Sequence, residues 1–264
     1  MARAGIRTDN TKRMPTLAVF AILAVSALVT SFISGILGMA GGMILMGILI
    51  ALMPLPTAMM LHGITQLAAN GWRAFLWRRE VDWRIFRGYA YGSLVALVAF
   101  VAVQLVVSKP VALIVLGLTP FVGLVLPEKW HLNVERRGHP FGCGVVCTGL
   151  QLLAGVSGPV LDVFFVRSQM SRHAVVATKA TTQSFGHTLK IIYFGGLVAG
   201  GTGVDIPLAA TMVALAFVGT TLSRKVLEGM DDASFRKWTR WTVMSCGLFY
   251  LASGAILLVE KYAK

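Results

Sequence analysis

Two sets of polar residues interrupt a largely apolar chain. His62, Gln66, Asn70 and Arg73 fall at i, i+4, i+8 and i+11, and Lys179, Gln183, His187 and Lys190 repeat that spacing. On a helix turning about 100° per residue, each set lies within roughly 80° of arc and forms a polar stripe with Gln in second place. The stripes offer amide and imidazole donors and cationic side chains, with few carboxylates nearby. That donor set suits an anion, because hydrogen bonds to an ionised partner are roughly twice as strong as neutral ones. A charge at the centre of a membrane helix costs about 2.5–3.5 kcal/mol on insertion scales, and an anionic ligand would lower that cost. For Arg73 and Lys190, snorkelling to the interface is an equal alternative. Lys179 and His187 sit deeper in the apolar run and suit a cavity better.

The elements that must position these stripes are broken by glycine. "GILGMAGG" at 35–42 ends one long apolar run, and "GLQLLAGVSGP" at 149–159 ends another. Inside hydrocarbon, unpaired backbone groups are tolerated only where they face protein or a water-filled cavity, so a break at membrane depth points to a ligand. The N-termini of half-helices present free N–H groups and partial positive charge. Two such ends meeting near the midplane hold anions in repeat-built transporters. Gly38, Gly41, Gly42, Gly155, Ser157 and Gly158 are the candidates at the breaks. The competing explanation is close helix packing through small residues.

Composition agrees with a membrane setting. The chain has 264 residues, of which 56% are hydrophobic and 13% charged, and its mean hydropathy is +0.74. Its apolar runs are continuous rather than alternating, which indicates helices and not strands. The expected fold is an all-α polytopic membrane protein with about eight transmembrane helices. Two half-length pieces stand beside the glycine breaks. Apolar segments are expected at 16–37, 43–53, 57–77, 86–107 and 109–126, and again at 141–155, 158–167, 171–199, 206–226 and 236–259. The division reads as a cytoplasmic tail (1–15), a first repeat (16–126), a polar linker (127–140) and a second repeat (141–264). The run from Thr16 is too long for a signal-peptide core, so the N-terminus is expected to be retained.

Gly35, Ala40 and Gly41 pair with Gly149, Ala154 and Gly155 at one offset, which suggests a duplication, although the polar stripes are out of step with it by a few residues. Basic loops favour a cytoplasmic N-terminus. Carried along the chain, that rule leaves parallel and inverted repeats both open.

The net charge of +13 lies largely in the tail and in short loops such as "WRREVDWRIFR", as juxtamembrane charge does; nucleic acid is excluded as a partner. Cys143, Cys147 and Cys246 make no CxxC pair, so neither metal nor disulfide is expected, and no cofactor. No phosphate-binding G-x-x-x-x-G-K-[ST] loop is present, which sets aside an ATP-driven pump. Asp162, the one carboxylate deep in an apolar segment, either pairs with Lys179 or carries a coupling proton. His62 and His187 are further coupling candidates, because imidazole titrates near neutral pH. Arg167, Arg172 and His173 lie at a cavity mouth or in a loop. "GVSG" at 155–158 matches the GxSG signature of rhomboid-type serine proteases, with Ser157 as nucleophile and a histidine as base. The equivalent place in the first half holds Met43, so duplication explains these glycines without a nucleophile.

"SGILGMAGGMILMGILIALMPLP", the polar-faced helix after it, "RREVDWR", and "TGLQLLAGVSGPVLDVFFVRSQMSRHAVVATKA" together resemble the TauE/SafE family of sulfite exporters. The resemblance covers nearly the whole chain; Val156 and Ser157 depart from the family's glycine-rich second motif. It implies a multi-pass protein of the bacterial inner membrane that moves sulfite, organosulfonates or related oxyanions, by export more often than import. The partners implied are a small anionic substrate, a coupling ion (H+ or Na+), the lipid bilayer and, as an option, a second copy in a homodimer. A passive anion channel is the alternative to alternating access. On this reading Lys179 and His187 are both needed for transport.

Overall fold

The computed structural model describes residues 16–127, 132–198, 203–228 and 232–263; the tail at 1–15 and the centre of the linker, 128–131, lie outside them. Every regular element among the described residues is helical. The first half contains α1 (Leu17–Leu37), α2 (Ala40–Leu52), α3 (Leu55–Leu76), α4 (Trp83–Val103), α5 (Lys109–Leu118) and the short α6 (Val122–Val125). The second contains α7 (His139–Ala154), α8 (Gly158–Phe165), α9 (Arg172–Ile192), α10 (Ile206–Glu228) and α11 (Asp232–Tyr262).

Local chemistry sets the boundaries. Asp82 Oδ1 accepts hydrogen bonds from the Arg84 and Ile85 amides and starts α4; Ser171 Oγ does the same for α9 through Ala174. α1 and α7 both end on a glycine with positive φ, Gly38 at 67° and Gly155 at 83°. That conformation is open to glycine at little steric cost and terminates a helix. α9 closes in a widened turn over Tyr193–Leu197 rather than running on to residue 199.

The breaks are narrower than the sequence suggests. Gly41 and Gly42 belong to the first turn of α2, and the interruption itself is Gly38–Met39. Gly155 follows Gly38 by 117 residues, and α9 starts 117 residues after α3. At that offset His62, Gln66, Asn70 and Arg73 fall on Lys179, Gln183, His187 and Lys190. The cap glycines and the stripes thus recur at one spacing of 117 residues, whereas Gly35 and Gly149 are 114 apart.

α3 and α9 cross antiparallel at the centre: Gly63 lies against Lys190, and Gly71 against Ser184. Around them α1 packs on α10 and α4 on α7, each pair running parallel, while α5 and α11 run antiparallel. Exchanging the two halves, α1–α5 for α7–α11, maps this set of pairings onto itself. Among the described residues, four helices are long and apolar enough to cross a membrane: Leu17–Leu37, Trp83–Val103, Ile206–Ser223 and Lys237–Tyr262. Their outward faces carry exposed Val25, Val29, Val95, Val98, Phe217, Leu248 and Phe249. α3 and α9 are as long, but their polar stripes lower their hydropathy and they pack inside.

Candidate functional site

The two breaks and the two stripes converge on one small cavity, of about 20 Å³. Ser34, Met39 and Gly42 line it from the first break, and Gln151, Ser157 and Gly158 from the second. His62, Gln66 and Asn70 of α3 face Gln183 and His187 of α9. The N-terminal turns of α2 and α8 both begin at its wall.

The polar groups around it form a chain. Gly42 O can only accept, so the 2.9 Å contact places a proton on His62 Nε2, which donates to that carbonyl. The opposite ring nitrogen, Nδ1, lies 2.7 Å from Lys190 Nζ, which donates to it and to Gly155 O at 2.9 Å. Across the cavity Gln151 Nε2 donates to His187 Nδ1 at 2.8 Å, and the two imidazoles stand 5.5 Å apart. Asn70 Nδ2 donates to Gln66 O at 3.0 Å. Gln66 Nε2 and Gln151 Oε1 are buried without a partner among the described residues.

The charge is one-sided. Lys190 is 0% exposed, and no carboxylate pairs with it among the described residues. Arg73, its counterpart on α3, donates to Ser34 O at 3.1 Å. Both cations therefore reach carbonyls at the C-terminal end of the broken helix in their own half, where the helix dipole favours positive charge. A buried ammonium with no counterion is costly unless further polar groups or an anion compensate it.

Several sequence expectations are revised. Lys179 does not line the cavity; it pairs with Asp162 of α8, with the two side chains 20% and 42% exposed. At the position equivalent to His62, it ties the stripe to the short helix much as His62 does through Gly42. Gly41 supports the packing of α2 on α1, where a side chain would strike Thr30 O, and Gly155 contributes its carbonyl to Lys190. Lys190 does not snorkel. Ser34, Met39 and Gln151, which line the cavity, are not among the residues the sequence points to. Lys190 was visible as the last member of its stripe, and Ser34 and Gln151 stand four residues before their cap glycines. His173 stacks on Trp77 at 4.6 Å, away from these groups. No hydrogen bond joins Ser157 to a histidine among the described residues, and His187 Nδ1 is taken by Gln151.

Long apolar helices with lipid-ready outer faces, packed around a buried polar cavity with Lys190 behind its His62 wall, define a multi-pass helical membrane protein with an internal polar site. Residues 22–250 match the family model described as sulfite exporter TauE/SafE, and the chain belongs to that family. The family implies a membrane transporter of sulfite or related sulfur anions. No curated protein and no solved structure matches the chain.

Proposed function

We propose that this protein is a secondary transporter, working as an exporter of sulfite or an organosulfonate from the bacterial cytoplasm, by alternating access around the cavity between the two helix breaks. The observation that carries this reading is Lys190: a fully buried cation, without a carboxylate partner among the described residues, beside an internal polar cavity. An oxyanion there would accept from Gln66 Nε2, from His187 Nε2–H and from the Ser157 hydroxyl. The first turns of α2 and α8 add partial positive charge from opposite sides.

The self-mapping of the helix pairings, with α3 and α9 antiparallel, supports two inverted repeats related by a two-fold axis lying in the membrane plane. Such a pair supplies two related conformations, one open to each side, as alternating access requires. About eight crossings follow if α3, α5, α7 and α9 span together with the four long apolar helices. The narrowness of the cavity favours an occluded carrier over a channel.

The Lys190–His62 contact supports proton coupling. A single proton occupies the line between Nζ and Nδ1, whether it is held as ammonium or as imidazolium. An anion arriving at the cavity favours retention of that charge, and its departure favours release of the proton. Proteoliposomes loaded with sulfoacetate, whose sulfonate stays ionised across neutral pH, test this directly. Because anion and proton leave together in this scheme, efflux driven uphill by an imposed inside-acid proton gradient is expected. Flux that only follows the anion's own gradient would support a channel instead.

A further inference from the structure

A second cavity lies far from the first in the chain's architecture, between the N-terminal ends of α4 and α7. It is a groove of about 370 Å³ lined by Arg84, Gly88, Arg136, Arg137, Pro140 and Phe141. Its floor is the close approach of the two helices, where a side chain at Gly88 would meet Pro140 at 2.8 Å. Its rim carries three arginines, and no acidic residue lines it.

Asp82 and Glu135, the acids beside Arg84 and Arg136 in the chain, are committed elsewhere. Asp82 caps α4 through the Arg84 and Ile85 amides, and Glu135 Oε2 accepts from the Gln169 amide at 2.7 Å. Arg84 donates one guanidinium N–H to Glu135 O at 2.6 Å, leaving its others for a ligand. The side chains of Arg136 and Arg137 have no partner among the described residues, and both are exposed. Three guanidinium groups converging on one groove form a phosphate-binding set, because their planar forks match oxyanion geometry.

The rest of the groove's lining, Gly88, Gly138, Pro140 and Phe141, is apolar, and the exposed face of α4 continues beyond it. On α4, Arg84, Gly88, Tyr91, Val95 and Val98 share one face within roughly 80° of arc. Tyr91, Val95 and Val98 are 65%, 52% and 68% exposed, as lipid-facing residues are. Trp83 beside them is 55% exposed at the end of the helix, the level at which interfacial tryptophans sit. A ligand with a phosphate at one end and a hydrocarbon chain at the other fits the whole face, whereas a free anion would use only the arginines.

We propose that this groove binds the headgroup of an anionic glycerophospholipid, with the phosphate among Arg84, Arg136 and Arg137 and an acyl chain along Tyr91, Val95 and Val98. The proposal does not depend on what the central cavity carries. Basic pockets between membrane helices recognise lipid headgroups in this way.

The test uses the full-length protein purified in a neutral detergent and titrated with phosphatidylglycerol or phosphatidylcholine, with binding read by native mass spectrometry and by thermal melting. Selective binding of phosphatidylglycerol is expected. Each arginine near an anionic lipid is worth about fivefold in affinity, so R136Q/R137Q should weaken phosphatidylglycerol about 25-fold and leave phosphatidylcholine unchanged. R136K/R137K, which keeps the charges, should restore most of the binding and also controls for misfolding of the Gln variant. Equal binding of the two lipids would overturn the proposal, as would undiminished phosphatidylglycerol binding by R136Q/R137Q. Displacement of the lipid by inorganic phosphate at similar concentration would overturn it too, by marking the groove as a site for soluble anions.

Discussion

Lys190 Nζ on α9 lies 2.7 Å from Nδ1 of His62 on α3, joining the two halves of the chain by a hydrogen bond at the centre of the molecule. The same ammonium holds Gly155 O, the last carbonyl before the second break. One side chain thus connects both stripes and one of the breaks.

Replacing Lys190 with Met keeps the aliphatic length and removes the charge. Transport of a sulfur anion should fall by at least about tenfold, the weight of one charge-assisted hydrogen bond. The protein should still fold, because losing an uncompensated buried charge offsets the lost bonds to His62 and Gly155. Size-exclusion chromatography and flux in proteoliposomes check the two halves of this expectation.

Lys179 and Asp162 give the contrasting case. Their ion pair is partly exposed, at 20% and 42%. Exposed and half-exposed pairs contribute about 0–1 kcal/mol, so K179M/D162N should melt within a few degrees of the parent. Because Lys179 pairs with Asp162, which is not part of the cavity lining, whereas Lys190 bonds the lining residue His62, transport should remain at half the parent rate or more. A loss as severe as that of Lys190→Met would place Lys179 on the substrate path.

The two cap glycines differ in their surroundings. A Cβ at Gly38 meets nothing within 4 Å, so Gly38→Ala carries only the backbone cost of φ 67° with ψ −110°, about 1–3 kcal/mol. At Gly155 the added carbon would also lie 2.6 Å from Met46 Sδ and 3.0 Å from Met59 Sδ. Gly155→Ala adds about 1–3 kcal/mol of overpacking to the cost of an αL backbone, about 1–2 kcal/mol, and should be the more destabilising of the two. Thermal melts of the two variants side by side measure the difference.

Along α7, Gly142 and Gly144 separate helix propensity from packing. Gly142 faces open space, and Gly142→Ala should stabilise by about 0.5–1 kcal/mol. A side chain at Gly144 would strike Tyr89 O of α4, so Gly144→Ala should unseat that helix pair. Expression yield and melting temperature should move in opposite directions for the two variants.

Much of this architecture is legible in the sequence, for identifiable reasons. The spacing of His62, Gln66, Asn70 and Arg73 has the helical period, and its recurrence at 179–190 sets the register of the two halves. Positive φ at Gly38 and Gly155 is not legible, since glycines crowd both segments and only the backbone reveals which ones end a helix. Gly35 and Gly149 therefore suggest a spacing of 114 residues where the cap glycines are 117 apart. The partner of Lys179 was open for a related reason. Asp162 lies on a short helix whose orientation depends on tertiary packing, so spacing alone could not distinguish an ion pair from a cavity-lining charge. Lys190 near a helix end has the spacing of a snorkelling residue. It is buried because α3 crosses α9 at that level, a contact between residues 128 apart.

The most direct measurement is the thermal stability of the purified protein and of Lys190→Met against sulfite, sulfoacetate, thiosulfate, sulfate and chloride. An anion that binds only the folded form stabilises it by about 2.7 kcal/mol at a hundred times its Kd. Saturable stabilisation of the parent by a sulfur anion and not by chloride, lost in Lys190→Met, is the expected result. Stabilisation by none of the sulfur anions, or an equal response in Lys190→Met, would contradict an anion site built on Lys190.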